Sequence, residues 1–251
     1  NEPPLMVMQT LNSLSRLDYP NFEVIVLDNN TSDESLWRPV ASHCETLGSR
    51  FRFYHLDNVK GFKAGALNKA MELTDPSAEF IAVIDSDYQV APHWLQSVMP
   101  GFDDPKVGIV QAPQDYRDGK ESLFKSFLYE EYTGFFRIGM VERAEHNAII
   151  QHGTMCVIRR EAMDRIGGWA EWCITEDTEF GLRVFEAGYT ALYTPVSMGR
   201  GLMPDTYAAY KSQRYRWVYG AMQILKRHAS AIFLGRKADG TPSLNKAQRY
   251  Q

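Results

Sequence analysis

The chain has 251 residues, 44% of them apolar, with a formal net charge of −4. This is enough apolar material for the full core of one large α/β domain. Cys44, Cys156 and Cys173 are odd in number, widely spaced and without a C-x-x-C pair. They favour neither a disulfide framework nor a zinc site and point to a reducing compartment. No signal peptide opens the chain and no run of about 18 apolar residues occurs, so no membrane span is expected within it.

Charge is distributed unevenly. Between residues 206 and 238 there are seven Lys/Arg and no Asp or Glu, so the rest of the chain is strongly acidic. A basic, aromatic segment after an acidic body suits a phosphate or an anionic lipid surface. Nucleic acid is not an expected partner.

Apolar runs of strand length at 22–27, 52–56, 80–84, 107–111, 155–158 and 191–193 alternate with helical patterns. The helical patterns cover 33–47, 62–73, 92–102, 120–145, 177–187 and 205–229. Such alternation predicts an α/β fold with a mostly parallel central sheet flanked by helices. Polar residues gather after the first run, at Asp28-Asn29-Asn30, and after the third, at Asp85-Ser86-Asp87. In an open parallel sheet both clusters face one crevice at the carboxyl ends of the strands.

Asp85 and Asp87, spaced i, i+2 at the mouth of a buried strand, can hold Mg²⁺ or Mn²⁺, ions that keep waters and take further ligands from substrate phosphates. An ordinary strand-end turn uses the same residue types. The segment from Lys60 to Asn68 follows a strand and opens a helix, with Lys60 and Lys63 beside two glycines. Backbone N–H groups there suit a diphosphate, and a solvated helix start is the plainer alternative. Thr175-Glu176-Asp177 precedes another helix, either as cap and dipole partner or with one carboxylate as a general base. Gln213, Arg216 and Trp217 stand at i, i+3 and i+4 on one helical face. Arg can clamp a diphosphate and Trp can stack a sugar; a basic interfacial helix has the same composition.

Taken in order, Asp28, Asp85-x-Asp87, Thr175-Glu176-Asp177 and Gln213-x-x-Arg216-Trp217 resemble the motifs of the processive inverting glycosyltransferases of family 2, which include cellulose, chitin and hyaluronan synthases. The phrases Asn1-Glu2-Pro3-Pro4, Leu17-Asp18-Tyr19-Pro20, Lys63-Ala64-Gly65-Ala66-Leu67-Asn68 and Gly167-Gly168-Trp169 are most similar to bacterial membrane β-glucan synthases. The resemblance implies one GT-A-like domain over 1–251 that moves a hexose, glucose from UDP-glucose, to a growing β-glucan by metal-dependent inversion. It implies that Asp28 contacts the uracil, that Lys60 and Lys63 lie by the phosphates, and that Asp87 holds Mg²⁺ or Mn²⁺ with Asp85 directed at the same UDP-sugar. It further implies that Asp177, beside Glu176, is the catalytic base, that Arg216 binds the diphosphate and that Trp217, with Gln213, floors the acceptor site.

Three departures accompany the resemblance. Asn1-Glu2 falls where the family has just completed its first strand, so a strand with uridine contacts is expected to be absent. Ile150-Gln151-His152-Gly153-Thr154 replaces the Phe-x-Cys-Gly-Ser of cellulose synthases, which assigns His152, Gly153 and Thr154 to the acceptor terminus with an altered preference. The family's transmembrane helices are absent; the implied setting is the cytoplasmic face of a bacterial inner membrane, met through those missing segments and the basic helix 205–229. A non-processive transferase acting on a lipid or protein, and a nucleotide-sugar-binding module without turnover, are the alternatives.

Overall fold

The computed structural model describes residues 2–236, 240–241 and 243–250. Helix α1 (Pro4–Leu14) opens on a proline at its first position, where the ring's fixed φ suits a helix and no N–H is needed. Strands β1 (Val24–Asn29) and β2 (Phe51–Leu56) pair in parallel, from Val24 with Phe51 to Asn29 with Leu56. Helix α2 (Glu34–Leu47) crosses between them, its first turn capped by Asp33, which accepts from the Ser35 amide. Helix α3 (Phe62–Leu73) follows β2 and leads to β3 (Phe80–Val83). A short β4 (Gln89–Val90), α4 (Trp94–Val98) and a 3-10 turn bring the chain to β5 (Val107–Gln111), buried at every position.

A long helical stretch then runs through α5 (Leu123–Gly134), a π-turn at Phe135–Gly139 and α6 (Met140–Glu145). After it come β6 (Cys156–Arg159), α7 (Arg160–Ile166), α8 (Glu176–Glu186), β7 (Thr190–Tyr193) and β8 (Gly199–Arg200). Helix α9 (Tyr207–Arg227) is capped by Thr206, which accepts from the Ala209 amide, and α10 (Ala229–Leu234) turns off its end.

The central sheet has the order β3-β6-β5-β7, with β1–β2 and β4–β8 as separate pairs. The α/β reading holds, and β1–β2 and β5–β7 are parallel; β6 runs antiparallel to both of its neighbours. A buried apolar run has the same composition in either direction, so its reversal is invisible in sequence. Among the described residues, the end strands β1, β2, β3 and β7 each keep one unpaired edge.

Side chains alternate across the central sheet with period two. Ile109 and Ile158 enter a cluster with Met140, Phe180 and Phe185, while Val110 and Val157 enter another with Trp94, Val98 and Phe102. The pattern at 205–229 is one helix to Arg227, and that at 92–102 divides into α4 and the 3-10 turn containing Pro100. No helix among the described residues is long and apolar enough to cross a membrane.

Candidate active site

The carboxyl ends of the strands open into a cleft of about 1230 Å³, lined by Lys63, Asp85, Asp87, Glu176, Asp177 and Trp217 among others. Asp85-Ser86-Asp87 forms one wall and is braced from several directions. The Asp85 amide donates to Thr154 Oγ1 at 3.0 Å, and Thr10 of α1 donates to the Ser86 carbonyl at 2.7 Å. The Asp87 carbonyl accepts from Arg117 at 2.6 Å, and Arg117 also donates to the Arg200 carbonyl at 2.7 Å. One Asp87 carboxylate oxygen accepts from the Leu202 amide at 2.8 Å. Gly201 lies so close that a Cβ there would overlap the Tyr88 ring.

The two carboxylates differ. Asp85 is ion-paired with Lys63. Asp87 has no ion-paired cation at its side chain among the described residues; burial, with the charge of Asp85 adding, pushes its carboxyl above the usual range, against the Leu202 hydrogen bond and the charge of Arg117. A pair of adjoining carboxylates that resists sharing its charge, with oxygens open to a cleft, fits a hard divalent cation that completes its shell with water and phosphate.

Glu176 and Asp177 occupy the first turn of α8. Thr175, the residue before the helix, makes no side-chain capping bond. Asp177 instead accepts from the Thr178 amide at 2.8 Å, so the capping account of this motif passes from threonine to aspartate. Burial raises both carboxyls; mutual repulsion adds to it at Glu176, and Lys63 opposes it at both. Lys63 therefore stands between the two acidic pairs. Its ammonium meets Asp85 and donates to the Gly153 carbonyl at 2.9 Å. Burial disfavours its charge, but Asp85, Glu176 and Asp177 outweigh burial and hold it well above the ordinary lysine range. Gly153 is wedged into this arrangement: a Cβ there would lie 3.0 Å from Lys63 Nζ and 3.2 Å from Asp177 Oδ2.

Helix α9 closes the opposite side. Gly220 permits contact with Thr175, because a Cβ would overlap the threonine side chain. Gln223 accepts from the Ile174 amide at 3.0 Å and donates to the Trp172 carbonyl at 2.8 Å. Arg216, Trp217 and Gln213 all line the cleft. Gln213 accepts from Tyr132 at 2.7 Å, and the Arg214 guanidinium lies 4.4 Å from the Trp217 ring while pairing with Glu131 at 2.6 Å. Arg216 remains exposed, its closest described partner being Ser212 at 3.4 Å.

His152 also faces the cleft, edge-on to Phe135 at 5.6 Å and Phe136 at 5.0 Å. Burial pushes its pKa down to about 4, so the ring is neutral near pH 7. The π-turn carries both phenylalanines, a feature often associated with functional sites. Thr154 lies fully buried beneath this wall.

Asp28 and Lys60 fall outside the cleft lining. Asp28, at the end of β1, accepts from Thr31 at 2.7 Å and contacts His55 Nδ1 at 2.7 Å. Their loops are locked to one another by Asn30, which exchanges two hydrogen bonds with the Val59 backbone at 2.9 and 3.0 Å. Residues missed in the sequence include Arg117, Tyr132, Arg214 and the Leu202 amide. Each acts through a contact made by distant segments, and the local sign is the aromatic content of α5 and the aromatic and basic content of α9.

Away from the two acidic pairs, Asp118, Glu121 and Asp205 place carboxylate oxygens within 4.8 Å of one another. Lys125 already lies among them, at 2.7, 2.9 and 2.6 Å.

An α/β sheet whose strand ends present one carboxylate pair able to hold a divalent cation, a second, buried carboxylate pair and an Arg–Trp helix face has the components of a nucleotide-sugar-transferase type of site. Residues 80–242 match the family described as Glycosyl transferase family group 2, and the chain belongs to that family. It is 29% identical over 232 residues to probable glucomannan 4-beta-mannosyltransferase 4 of Oryza sativa subsp. japonica, covering 86% of this chain and 41% of that protein. It is 30% identical over 233 residues to the UDP-forming cellulose synthase catalytic subunit of Pseudomonas fluorescens (strain SBW25), covering 90% and 30%. The chain thus spans well under half the length of these relatives. The solved mannosyltransferase PcManGT from Pyrobaculum calidifontis, in complex with GDP-Man and Mn²⁺, has a TM-score of 0.73 at 21% identity, covering all of this chain and 66% of that one. S. aureus TarS 1-349, in complex with UDP-GlcNAc, has a TM-score of 0.60 at 16% identity, covering 93% and 73%. These likenesses establish the GT-A-like fold.

Proposed function

We propose that this chain is the catalytic domain of a processive, inverting glycosyltransferase that transfers glucose from UDP-glucose to a growing β-glucan. The observation that carries the reading is the opening of Asp85, Asp87, Asp177, Arg216 and Trp217 into a single cleft.

Asp87, with Asp85, would hold Mg²⁺ or Mn²⁺, which when bound supplies charge neutralisation for the departing diphosphate. Arg216 meets the diphosphate through charge-assisted hydrogen bonds, and Lys63 adds a fixed positive charge between donor and base. Asp177 takes the proton from the attacking acceptor hydroxyl. The acceptor oxygen then bonds to the anomeric carbon as the bond from that carbon to the diphosphate oxygen breaks, and the electron pair leaves on UDP. One displacement inverts the centre and needs no carboxylate nucleophile. Trp217 offers a flat face for the terminal acceptor sugar, with Gln213, His152, Gly153 and the underlying Thr154 shaping that end. On the neighbouring loops, Asp28 serves the uracil of the donor and Lys60, with Lys63, its phosphates.

The exposed face of α9 carries Tyr207, Tyr215, Val218, Tyr219 and Met222 beside Lys211 and Lys226. This composition supports docking on an anionic membrane surface at the cytoplasmic face of a bacterial inner membrane.

Calorimetric titration of the chain with UDP tests the donor site: binding strengthened by Mn²⁺ supports it, and metal-independent or absent binding contradicts it. Linkage and length analysis of polymer made from radiolabelled UDP-glucose by the full-length enzyme tests the rest. The mannosyltransferases among the relatives make GDP-mannose the comparison donor. Preferential use of GDP-mannose would reassign the sugar, and single-sugar products would contradict processivity.

A further inference from the structure

We propose that Lys125 is a positioning residue for transfer, acting through Asp118 and Asp205 on a strap, residues 202–206, that joins the cation-binding wall to the acceptor helix. The inference rests on the functional reading above only for the meaning of the two ends it joins.

The ammonium of Lys125 is nearly buried, with its side chain 7% exposed, and it pairs with Asp118 at 2.7 Å and Asp205 at 2.6 Å. Asp118 is itself buried and accepts from the Met203 amide through both oxygens, at 3.2 and 3.1 Å. One residue earlier, the Leu202 amide donates to Asp87 at 2.8 Å. One residue beyond Asp205, Thr206 starts α9, the helix that carries Gln213, Arg216 and Trp217. Lys125 is therefore connected, through two carboxylates and five consecutive residues, to the side chain proposed to hold the cation and to the start of the acceptor helix.

Arg117 ties the chain just before the strap to the same wall, joining the Asp87 and Arg200 carbonyls. A plain structural ion pair would not require a buried lysine shared among three carboxylates; here the sharing draws segments 118–121 and 202–206 together around one ammonium. Without it, Asp118 and Asp205 repel one another, and the strap is freed at Met203 and at the N-terminus of α9. Partners that orient a metal ligand from behind typically alter metal affinity or activity by about 10- to 100-fold when removed.

Two readouts test the proposal on the folded chain: Mn²⁺-dependent UDP binding by calorimetry, and hydrogen exchange at the Leu202 and Ala209 amides. Lys125→Met is expected to speed exchange at both amides and weaken the Mn²⁺-dependent binding by about tenfold. Lys125→Arg should recover most of each, and adding Lys125→Met to Asp87→Asn should cause little further loss. Asp205 is largely exposed, so Asp205→Asn provides a folded variant if Lys125→Met does not fold; a smaller change in the same direction is expected. Wild-type exchange and wild-type binding in folded Lys125→Met or Asp205→Asn would overturn the proposal, as would faster exchange with unchanged binding. If the wild-type chain binds no UDP with Mn²⁺, the functional reading fails, and the exchange data alone decide whether Lys125 holds the strap.

Discussion

The two acidic pairs facing the cleft use the same chemical groups in different settings. Asp85 and Asp87 sit on a loop, one carboxylate paired with Lys63 and the other accepting from the Leu202 amide. Glu176 and Asp177 begin a helix in a buried position that raises both carboxyls, with Lys63 opposing the shift. The first setting leaves oxygens available to a cation. The second favours a carboxylate that takes up a proton. Lys63 lies between them and lowers the pKa of both Glu176 and Asp177; under the proposed roles, environment, and not residue type, divides cation binding from proton transfer.

The largest expected effect separates the pairs by function. In the full-length enzyme, Asp177→Asn should lower polymer synthesis by about 10²- to 10⁴-fold, the usual contribution of a general base, as measured by radiolabel incorporation. Substantial residual synthesis would move the base elsewhere. Because burial raises the Asp177 carboxyl, synthesis should also fall as pH drops through a value above the usual carboxylate range. An acid limb at the ordinary aspartate value would break that part of the comparison.

Next in size is the support beneath the helix start. Gly220→Ala would force a methyl into Thr175, and overpacking of this kind costs about 1–3 kcal/mol. A fall in Tm with weakened acceptor use is expected; an unchanged Tm would show that α9 moves freely against Thr175.

The smallest effect concerns the far end of α9. His228 contacts Glu179 at 3.1 Å and Glu186 at 3.6 Å. Burial disfavours its charge, but these partners prevail and lift its pKa from 6.5 to about 9. A base held protonated by the fold stabilises it fully below pH 6.5, and that contribution fades as pH rises through about 9. Urea unfolding of His228→Gln should accordingly show a deficit at pH 6 that shrinks toward pH 9.5, whereas a constant deficit would assign His228 a packing role alone.

Much of this organisation is legible in sequence because it is local. The strands at 52–56 and 107–111 and the helices at 33–47 and 62–73 are marked by periodicity and flanking polar residues, and the structure places them within a residue or two. Asp85-Ser86-Asp87 and Thr175-Glu176-Asp177 stand out because each is a short run at an element boundary. Helix α1 has no counterpart among the elements expected from sequence, although proline at the first helical position is compatible with a helix. The direction of β6, the π-turn at 135–139 and the Arg117 bridge depend on packing between distant segments. Asp28 is legible from its place after a strand, whereas the Thr31 and His55 contacts that hold its carboxylate depend on the folded loops.

The division of labour between the two acidic pairs is tested most directly by measuring UDP affinity in Mn²⁺ for Asp87→Asn and Asp177→Asn side by side. Asp87→Asn should lose the Mn²⁺-dependent part of the binding, by about tenfold or more, while Asp177→Asn binds nearly as the wild type does. Equal losses in the two variants, or a loss confined to Asp177→Asn, would contradict the account.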